Sequence, residues 1–301
     1  MPSRLTPLMR QLLVAQDNVI ALRQLPGAQR RSVRRAAEIG EWRALSWQVY
    51  LASPNAASRQ QLLWAAVLHG GPGARLCGRN ALVLHGWNQE LKSPYDVLIP
   101  HAVQPKRPPE WLRLHRTVRE ISGPAATPAR TSPHVATVHA AAWADTDRAA
   151  LFVVISSLQQ RLTSVRHLLS SVDAMPKLRR RALIVEAAKE YADGVQSLNE
   201  LDFGRWCQRF DLPVPIRQTR VRDAAGRLRA LDVEFRTASG ESLRLEIEGL
   251  HHLDPAQYFA DITRHNDLAV VRAGMSLRVT TWHLRHEGAA FASVLRQALA
   301  F

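Results

Sequence analysis

Two segments in the last third of the chain alternate apolar and charged residues, which is the period of a half-buried β-strand. They are Leu231–Phe235 and Leu243–Glu248, and each places its apolar side chains on one face. If those faces share a core, the opposite faces carry four carboxylates: Asp232, Glu234, Glu246 and Glu248. Like charges opposite one another destabilise a sheet. The pattern therefore indicates either a divalent cation held by hard carboxylate oxygens or a solvated strand face with Arg residues nearby.

The hydrophobic pattern of residues 5–52 predicts three short helices followed by a β-hairpin. The second helix is predicted at Val19–Leu25 and the third at Ala28–Ile39, with Gly40 at its end. Trp42–Leu51 alternates like a tight hairpin. The residues of the third helix that are predicted to pack inward are Val33, Ala36, Ala37 and Ile39. This order of elements is typical of a winged helix-turn-helix.

The third predicted helix carries arginines at spacings of one and four, which form a single exposed stripe. These residues are Arg30, Arg31, Arg34 and Arg35. Such side chains reach DNA phosphates, while Gln29, Arg30 and Ser32 near the helix start are candidates for contacts to base edges. The alternative is a solvated basic helix face.

The middle of the chain predicts a small α+β subdomain and then a helical region. The subdomain contains a helix at Ser58–Leu68 and short strands at Tyr95–Ile99 and Trp111–His115. Its Gly-rich stretch lacks the Gly-Lys-Ser/Thr ending of a phosphate loop and is predicted to form a turn and a helix cap. Residues 122–132 are predicted to be a loop and residues 134–193 to be helical. A basic cluster is either a second binding surface or a solvated helix start: Lys177, Arg179, Arg180 and Arg181.

From Asp193 onward the predicted order is a helix, three or four strands, a helix, a strand and a closing helix. Ser197 is predicted to cap the first helix, with Glu200 completing a capping box. Asp254-Pro255 is predicted to begin the second helix, and Leu277–Thr281 is predicted to be a buried strand. The order αβββαβ is the core order of restriction-endonuclease-like nucleases.

The net charge of the chain indicates what kind of molecule it binds. The 301 residues include 40 Lys and Arg against 26 Asp and Glu, a net charge of +14. This balance indicates a polyanionic partner, nucleic acid first and an anionic membrane surface second. No apolar run approaches the roughly 18 residues of a membrane span, and the amino terminus lacks the apolar core of a signal peptide. Cys77 and Cys207 stand in no ligand spacing. We therefore expect a cytoplasmic protein with no membrane contact.

The amino-terminal half resembles the AbiEi-type antitoxins and transcriptional regulators of type IV toxin–antitoxin systems. The segments that carry the resemblance are Val19-Ile20, Arg30–Arg35, Gly40-Glu41-Trp42, Val49-Tyr50, Gly71-Pro-Gly-Ala74 and His85-Gly86. The turn at Arg23–Ala28 is shorter than the turn usual in that family. The resemblance implies binding to double-stranded DNA, a cognate toxin as partner, and a homodimer of the kind that reads two half-sites.

The last third of the chain resembles an uncharacterised nuclease-like family that is similar to very-short-patch-repair endonucleases of the PD-(D/E)xK superfamily. Five blocks carry the resemblance in order: Ser197-x-x-Glu200, Leu231-Asp232, Glu246-Ile-Glu-Gly249 with His251-His252, Asp261-x-x-Arg264 and Thr281-Trp282. One departure concerns Glu248, which stands where the superfamily has Lys and the related family has Asp. A longer carboxylate there shifts the charge by about one methylene in a site with tight tolerances.

The resemblance implies a role for each matching residue. Asp232 and Glu246 are expected to bind Mg²⁺ or Mn²⁺, with the Ile247 carbonyl as a backbone ligand. Glu200 is expected to position a water molecule and His251 or His252 to act as acid or base, while Glu248 is a further candidate catalytic residue.

The sequence as a whole predicts an α/β multidomain protein. Its parts are a winged helix-turn-helix at residues 1–54, an α+β domain of AbiEi type at 55–145, a helical connector at 146–193 and a restriction-endonuclease-like domain at 194–301. The predicted function is a Mg²⁺-dependent DNA endonuclease. The alternative is a non-catalytic repressor or antitoxin-like regulator with a degenerate nuclease domain.

Overall fold

The computed structural model describes residues 5–199, 202–222, 228–249 and 276–300. The chain forms two compact units, Met1–Trp143 and Ala144–Phe301. Helices and strands occur in both units, so the predicted mixed α/β class is confirmed.

The described part of the first unit begins with two helices and three short strands, and the strands form a three-stranded sheet. Its elements are α1 Pro7–Ala15, β1 Val19–Ala21, a 3-10 turn at Leu22–Gln24, α2 Gly27–Glu38, β2 Arg43–Ser46 and β3 Val49–Leu51. The sheet order is β1-β3-β2, and both pairings are antiparallel. The second helix predicted at Val19–Leu25 is therefore wrong. A short buried apolar run fits helix and strand equally well, and pairing with β3 decides in favour of the strand.

The inner face of α2 packs against α1, β1 and the start of the hairpin. Val33 and Ala36 are buried in this cluster together with Trp42. Ile39, which was predicted to pack inward, is 60% exposed. The reason is that α2 ends at Glu38, and Gly40 at φ +78° then reverses the chain. The indole of Trp42 enters the core in place of Ile39.

The rest of the first unit is a second small sheet with three helices. Its elements are α3 Arg59–Gly70, β4 Arg75–Leu76, α4 Gly78–Leu84, β5 Tyr95–Pro100, β6 Leu112–Thr117 and α5 Pro133–Ala142. β5 is central, antiparallel to β4 and parallel to β6. Ser58 and Gln61 cap α3 reciprocally, with hydrogen bonds of 3.2 and 2.9 Å. The predicted helix and the two predicted strands of this region are confirmed.

The second unit places six helices of the described ranges around one four-stranded sheet. Its elements are α6 Asp147–Gln159, α7 Val165–Asp173, α8 Arg181–Asn199, α9 Phe203–Arg209, β7 Arg217–Arg222, β8 Leu228–Arg236, β9 Ser242–Glu248, β10 Leu277–Thr280, α10 Thr281–His286 and α11 Gly288–Leu299. The sheet order is β10-β9-β8-β7. β10 is parallel to β9, and the other pairs are antiparallel. The helix predicted to begin at Asp254 lies outside the described residues.

One face of this sheet forms the core of the second unit, as the alternation predicts. The buried residues of β8, β9 and β10 are Leu231, Val233, Phe235, Leu243, Leu245, Ile247, Leu277 and Val279. They pack against Phe203 and Trp206 of α9 and against Phe291 and Leu295 of α11. The buried Trp206 indole donates a hydrogen bond of 2.9 Å to the Leu284 carbonyl, so that its polar atom has a partner.

The predicted capping box at Ser197 is wrong. α8 continues to Asn199, so Ser197 lies inside the helix. A glycine such as Gly194 costs a helix only about 1 kcal/mol, which is too little to end one that is held by tertiary packing. Asp202 instead caps α9, where its Oδ1 accepts a hydrogen bond of 3.0 Å from the Arg205 backbone amide.

None of the helices in the described ranges is both long enough and apolar enough to cross a membrane.

We expect Phe235→Ala to lower the free energy of unfolding of the second unit by about 3–5 kcal/mol, because the change removes a large buried side chain and leaves a cavity. Phe235 is 1% exposed, whereas Ile216 is 61% exposed. Ile216→Ala is the control and should change stability by less than about 0.5 kcal/mol. Denaturant titration followed by circular dichroism measures both. A decrease below about 1 kcal/mol for Phe235→Ala would contradict the packing described above.

Candidate functional site

The pairing of β7 to β10 aligns four polar residues in one row across the sheet. Thr219 is in register with Asp232, Asp232 with Glu246, and Glu246 with Arg278. Because directly opposite residues project to the same side of a sheet, all four belong to the face opposite the apolar core. The two central carboxylates are the pair that the sequence predicted as metal ligands.

Two further carboxylates flank this row on the same face. Glu234 is in register with Arg244 and accepts a short hydrogen bond from the Ser242 hydroxyl. Glu248 is in register with Ala230 on one side and with Thr280 on the other. The four carboxylates expected from the alternation therefore do share one face, with Arg244 and Arg278 among them.

Arg278 forms an ion pair with Glu246 in the central row. Its Nε atom lies 3.1 Å from Glu246 Oε2, and the two side chains are 56% and 33% exposed. An ion pair this exposed is typically worth no more than about 1 kcal/mol. The arginine therefore neutralises Glu246 only through a weak ion pair. A cation of higher charge would compete with it for the same carboxylate.

Glu248 is partly buried on this face, close to Glu246. Partial burial raises the pKa of its carboxyl above the usual value, and the negative charge and hydrogen bond of Glu246 raise it further. The positive charge of Arg278 acts in the opposite direction on this pKa. A carboxyl with a raised pKa close to a second carboxyl group is a feature of sites that transfer protons.

The central row opens into a depression of about 460 Å³ on the polar face. Its polar lining comes from three strands and from the residue before β10: Thr219, Asp232, Glu234, Arg244, Glu246 and Ser276. This lining contains three carboxylates and the guanidinium group of Arg244. This arrangement suits a ligand that carries both a hard cation and an anion, as a metal-bound phosphate does.

Several predicted site residues cannot be placed on this face. Glu200, His251 and His252 lie outside the described residues, as do Asp261 and Arg264. The side chain of Ile247 is buried on the apolar face, and its backbone lies in register between Leu231 and Val279. Within the ranges that the structure describes, no three His, Cys, Asp or Glu side chains come together as a metal-binding group.

The donor set at the centre of the row nevertheless suits a divalent cation. Side chains directly opposite on antiparallel strands have Cβ atoms about 4.5–5.5 Å apart, so the carboxylates of Asp232 and Glu246 can converge on one ion. Mg²⁺ requires only one or two protein carboxylates, because water and substrate phosphate complete its octahedron. The two acids therefore fit a Mg²⁺ or Mn²⁺ ion as part of its ligand shell.

The arginine stripe predicted on the third helix is exposed on α2. Arg30, Arg31, Arg34, Arg35 and Ser32 are all exposed, whereas Gln29 is half-buried. Arg30 Nε donates a hydrogen bond of 2.7 Å to the Leu25 carbonyl, which holds this side chain against the turn before the helix. Within the described part of the chain, no carboxylate forms an ion pair with Arg31, Arg34 or Arg35.

The second predicted basic cluster, Lys177 to Arg181, differs from the stripe on α2, because two of its arginines form ion pairs within the protein. Arg180 lies 2.6 Å from Asp147 Oδ1 and also donates to the Ala144 carbonyl. Arg181 lies 2.8 Å from Asp173 Oδ1. Both guanidinium groups tie the start of α8 to neighbouring helices. Ion pairing thus accounts for Arg180 and Arg181 without a second binding surface.

Sequence reasoning missed Arg278, Arg244 and Thr219 as members of the site. The alternation of charged with apolar residues in β9 already assigns Arg244 to the polar face. Arg278 joins the row only because β10 pairs in parallel with β9, and no local pattern fixes the register of strands so far apart in sequence. Thr219 depends in the same way on the register between β7 and β8.

No model of a known protein family matches the chain, and no curated protein matches it either. The resemblances to AbiEi-type regulators and to nucleases similar to very-short-patch-repair endonucleases therefore stay predictions that rest on the sequence motifs.

We expect the free energy of unfolding of Glu248→Gln, relative to that of the unmodified protein, to be higher at pH 8 than at pH 4. A carboxyl whose pKa is raised on folding contributes stability below its unfolded pKa, and this contribution is lost as the pH rises through the folded pKa. Gln stays neutral, so the free energy of unfolding of the variant relative to the unmodified protein should increase with pH. Glu241→Gln, at an exposed position, is the control. A pH-independent difference for Glu248→Gln would contradict the raised pKa.

Proposed function

We propose that this protein binds double-stranded DNA and hydrolyses phosphodiester bonds at the carboxylate row of its second unit, with Mg²⁺ or Mn²⁺ bound there. The observation that carries the proposal is the register that places Asp232 directly opposite Glu246 on the polar face of the sheet. The geometry of the first unit supports the DNA-binding part separately.

Residues 5–51 support a winged helix-turn-helix interpretation. A basic helix, α2, follows a short turn and precedes the β2–β3 hairpin, and the sheet order β1-β3-β2 brings the hairpin beside β1. The arginines of α2 are exposed, and exposed arginines bind phosphates and base edges in a major groove. α2 would be the recognition helix, and Arg31, Arg34 and Arg35 its main phosphate contacts.

Asp232 and Glu246 would hold the cation. When bound, the cation lowers the pKa of a coordinated water molecule and neutralises charge on the scissile phosphate. Glu248 has a pKa shifted upward from its ordinary value, so it is suited to exchange a proton with the attacking water or the leaving group. Glu200, His251 and His252 belong to this proposal through the family resemblance.

Arg278 would take part of the role of the Lys that the superfamily has at the position of Glu248. It is in register with Glu246 and provides a positive charge at the edge of the carboxylate row. If a cation held Glu246, the guanidinium of Arg278 could instead donate two parallel hydrogen bonds to two oxygens of the phosphate. The nuclease-like unit thereby keeps a cationic group despite the departure at Glu248.

A second candidate function is that of a non-catalytic regulator, as in type IV toxin–antitoxin systems. The observation that favours it is the ion pair between Arg278 and Glu246, which neutralises one expected ligand without any metal. In that case the second unit is a scaffold, and the DNA-binding unit acts as a repressor together with a toxin partner or a second copy of the chain.

The DNA-binding part predicts that mutation of α2 weakens the salt dependence of binding. Each phosphate contact contributes about 0.9 to the slope of log Kd against log salt concentration, so Arg31→Ala with Arg34→Ala should lower that slope by about two. Arg166 and Lys189 are exposed basic residues of α7 and α8. Their double alanine variant is the matched control and should bind as the unmodified protein does. Equal slopes for all three proteins would contradict the assignment of α2.

The catalytic part predicts metal-dependent cleavage that requires Asp232. We expect nicking of supercoiled plasmid in Mg²⁺ or Mn²⁺, and we expect Asp232→Asn to lower the cleavage rate at least about 100-fold while duplex affinity persists. Glu241→Gln is the control, because Glu241 is exposed in the turn before β9 and lies outside the lining of the depression, so this variant should retain activity.

The absence of cleavage on plasmid and on mismatched duplex with either metal would contradict catalysis. A discrete, metal-independent footprint near the protein's own promoter would then identify the regulator.

A further inference from the structure

A second basic segment lies next to the tip of the β2–β3 hairpin in the first unit. It is the loop between β5 and β6, residues 101–111, in which Lys106 and Arg107 stand between Pro105 and Pro108. Both basic side chains are exposed. Because proline fixes φ and restricts the residue before it, the two charges are displayed on backbone that loses little entropy when it binds a partner.

The hairpin tip presents an unusual side chain to this loop. Trp47 and Gln48 connect β2 to β3, and Gln48 adopts φ +57°. Trp47 is 60% exposed, which makes it one of the few large apolar side chains left at the surface of the described residues. Lys106 Nζ lies 5.8 Å from the centroid of the Trp47 ring, within the range of a cation–π contact.

The loop is fixed in this position by a buried histidine. His69 of α3 is 6% exposed, and its Nε2 donates a hydrogen bond of 3.0 Å to the Lys106 carbonyl. Burial lowers the pKa of His69, and the charge of Arg23 lowers it further, whereas the Lys106 carbonyl raises it. A neutral imidazole with its proton on Nε2 satisfies this contact.

The same helix also supports the hairpin. Ala65 and Leu68 of α3 pack against Val49 and Leu51 of β3, and Arg23 donates a hydrogen bond to the Leu68 carbonyl. The basic loop and the β2–β3 hairpin are therefore both held against α3. In the described part of the chain, neither Lys106 nor Arg107 forms an ion pair with a carboxylate.

We propose that Trp47, Lys106 and Arg107 form a second DNA-contacting surface, which binds the phosphodiester backbone of the duplex beyond the segment read by α2. This inference rests on the proposed DNA-binding function. Lys106 and Arg107 bind phosphates, and the flat indole of Trp47 packs against the sugar edge between them. These interactions extend the bound length of DNA. Because they carry no sequence information, they raise the affinity for every sequence equally.

The test is the salt dependence of duplex binding by Lys106→Gln/Arg107→Gln, measured by anisotropy of a labelled duplex between about 50 and 200 mM salt. We expect the slope of log Kd against log salt concentration to fall by about two, which is one unit for each phosphate that the variant no longer binds. Footprinting should show that protection disappears at one end of the site while the bases read by α2 stay protected. Trp47→Ala should weaken binding several-fold without changing sequence preference.

Arg113→Gln/Arg116→Gln is the matched control, because it removes the same charge from exposed positions of β6 in the same unit. The slope for this control should stay close to that of the unmodified protein. A slope for the loop variant equal to that of the control, with α2-dependent binding intact, would overturn this inference alone. Failure of the unmodified protein to bind duplex DNA would instead overturn the proposed function on which it rests.

Discussion

The antiparallel register of β8 with β9 is the constraint on which the second unit depends. It buries Leu231, Val233 and Phe235 against α9 and α11, and the same register sets Asp232 opposite Glu246 on the other face. A shift of one residue would exchange the faces, expose the apolar set and bury the carboxylates. Burial of the apolar residues therefore fixes the position of the candidate site, because one register determines both.

The polar face accommodates its carboxylates by several means at once. Arg278 pairs with Glu246, Ser242 donates to Glu234, and the pKa of Glu248 is raised. The ion pair reduces the repulsion by only a modest amount, because exposed ion pairs are weak. A divalent cation between Asp232 and Glu246 would neutralise two charges at once and release Arg278. The face thus accommodates both proposed functions, and the competition between Arg278 and a cation for Glu246 distinguishes them.

Local periodicity predicted much of this fold from the sequence. The alternation in β8 and β9 correctly assigned both faces, and the arginine spacing on α2 correctly predicted an exposed stripe. Features set by tertiary pairing were not predictable in this way. Val19–Ala21 is a strand because β3 pairs with it, and Ser197 lies inside α8 although its motif is that of a cap. Arg278 reaches the site through a parallel pairing between distant segments, for which the sequence carries no local signal.

Crystallography of the protein soaked in Mn²⁺, with anomalous scattering data, tests the central claim most directly. The account predicts an ion within about 2.0–2.3 Å of carboxylate oxygens of both Asp232 and Glu246, with the Arg278 guanidinium turned away from Glu246. An intact ion pair between Arg278 and Glu246 at saturating Mn²⁺, with no anomalous peak on the polar face, would contradict it. The carboxylate row would then be a neutralised strand face, and only the proposed DNA binding by the first unit would remain.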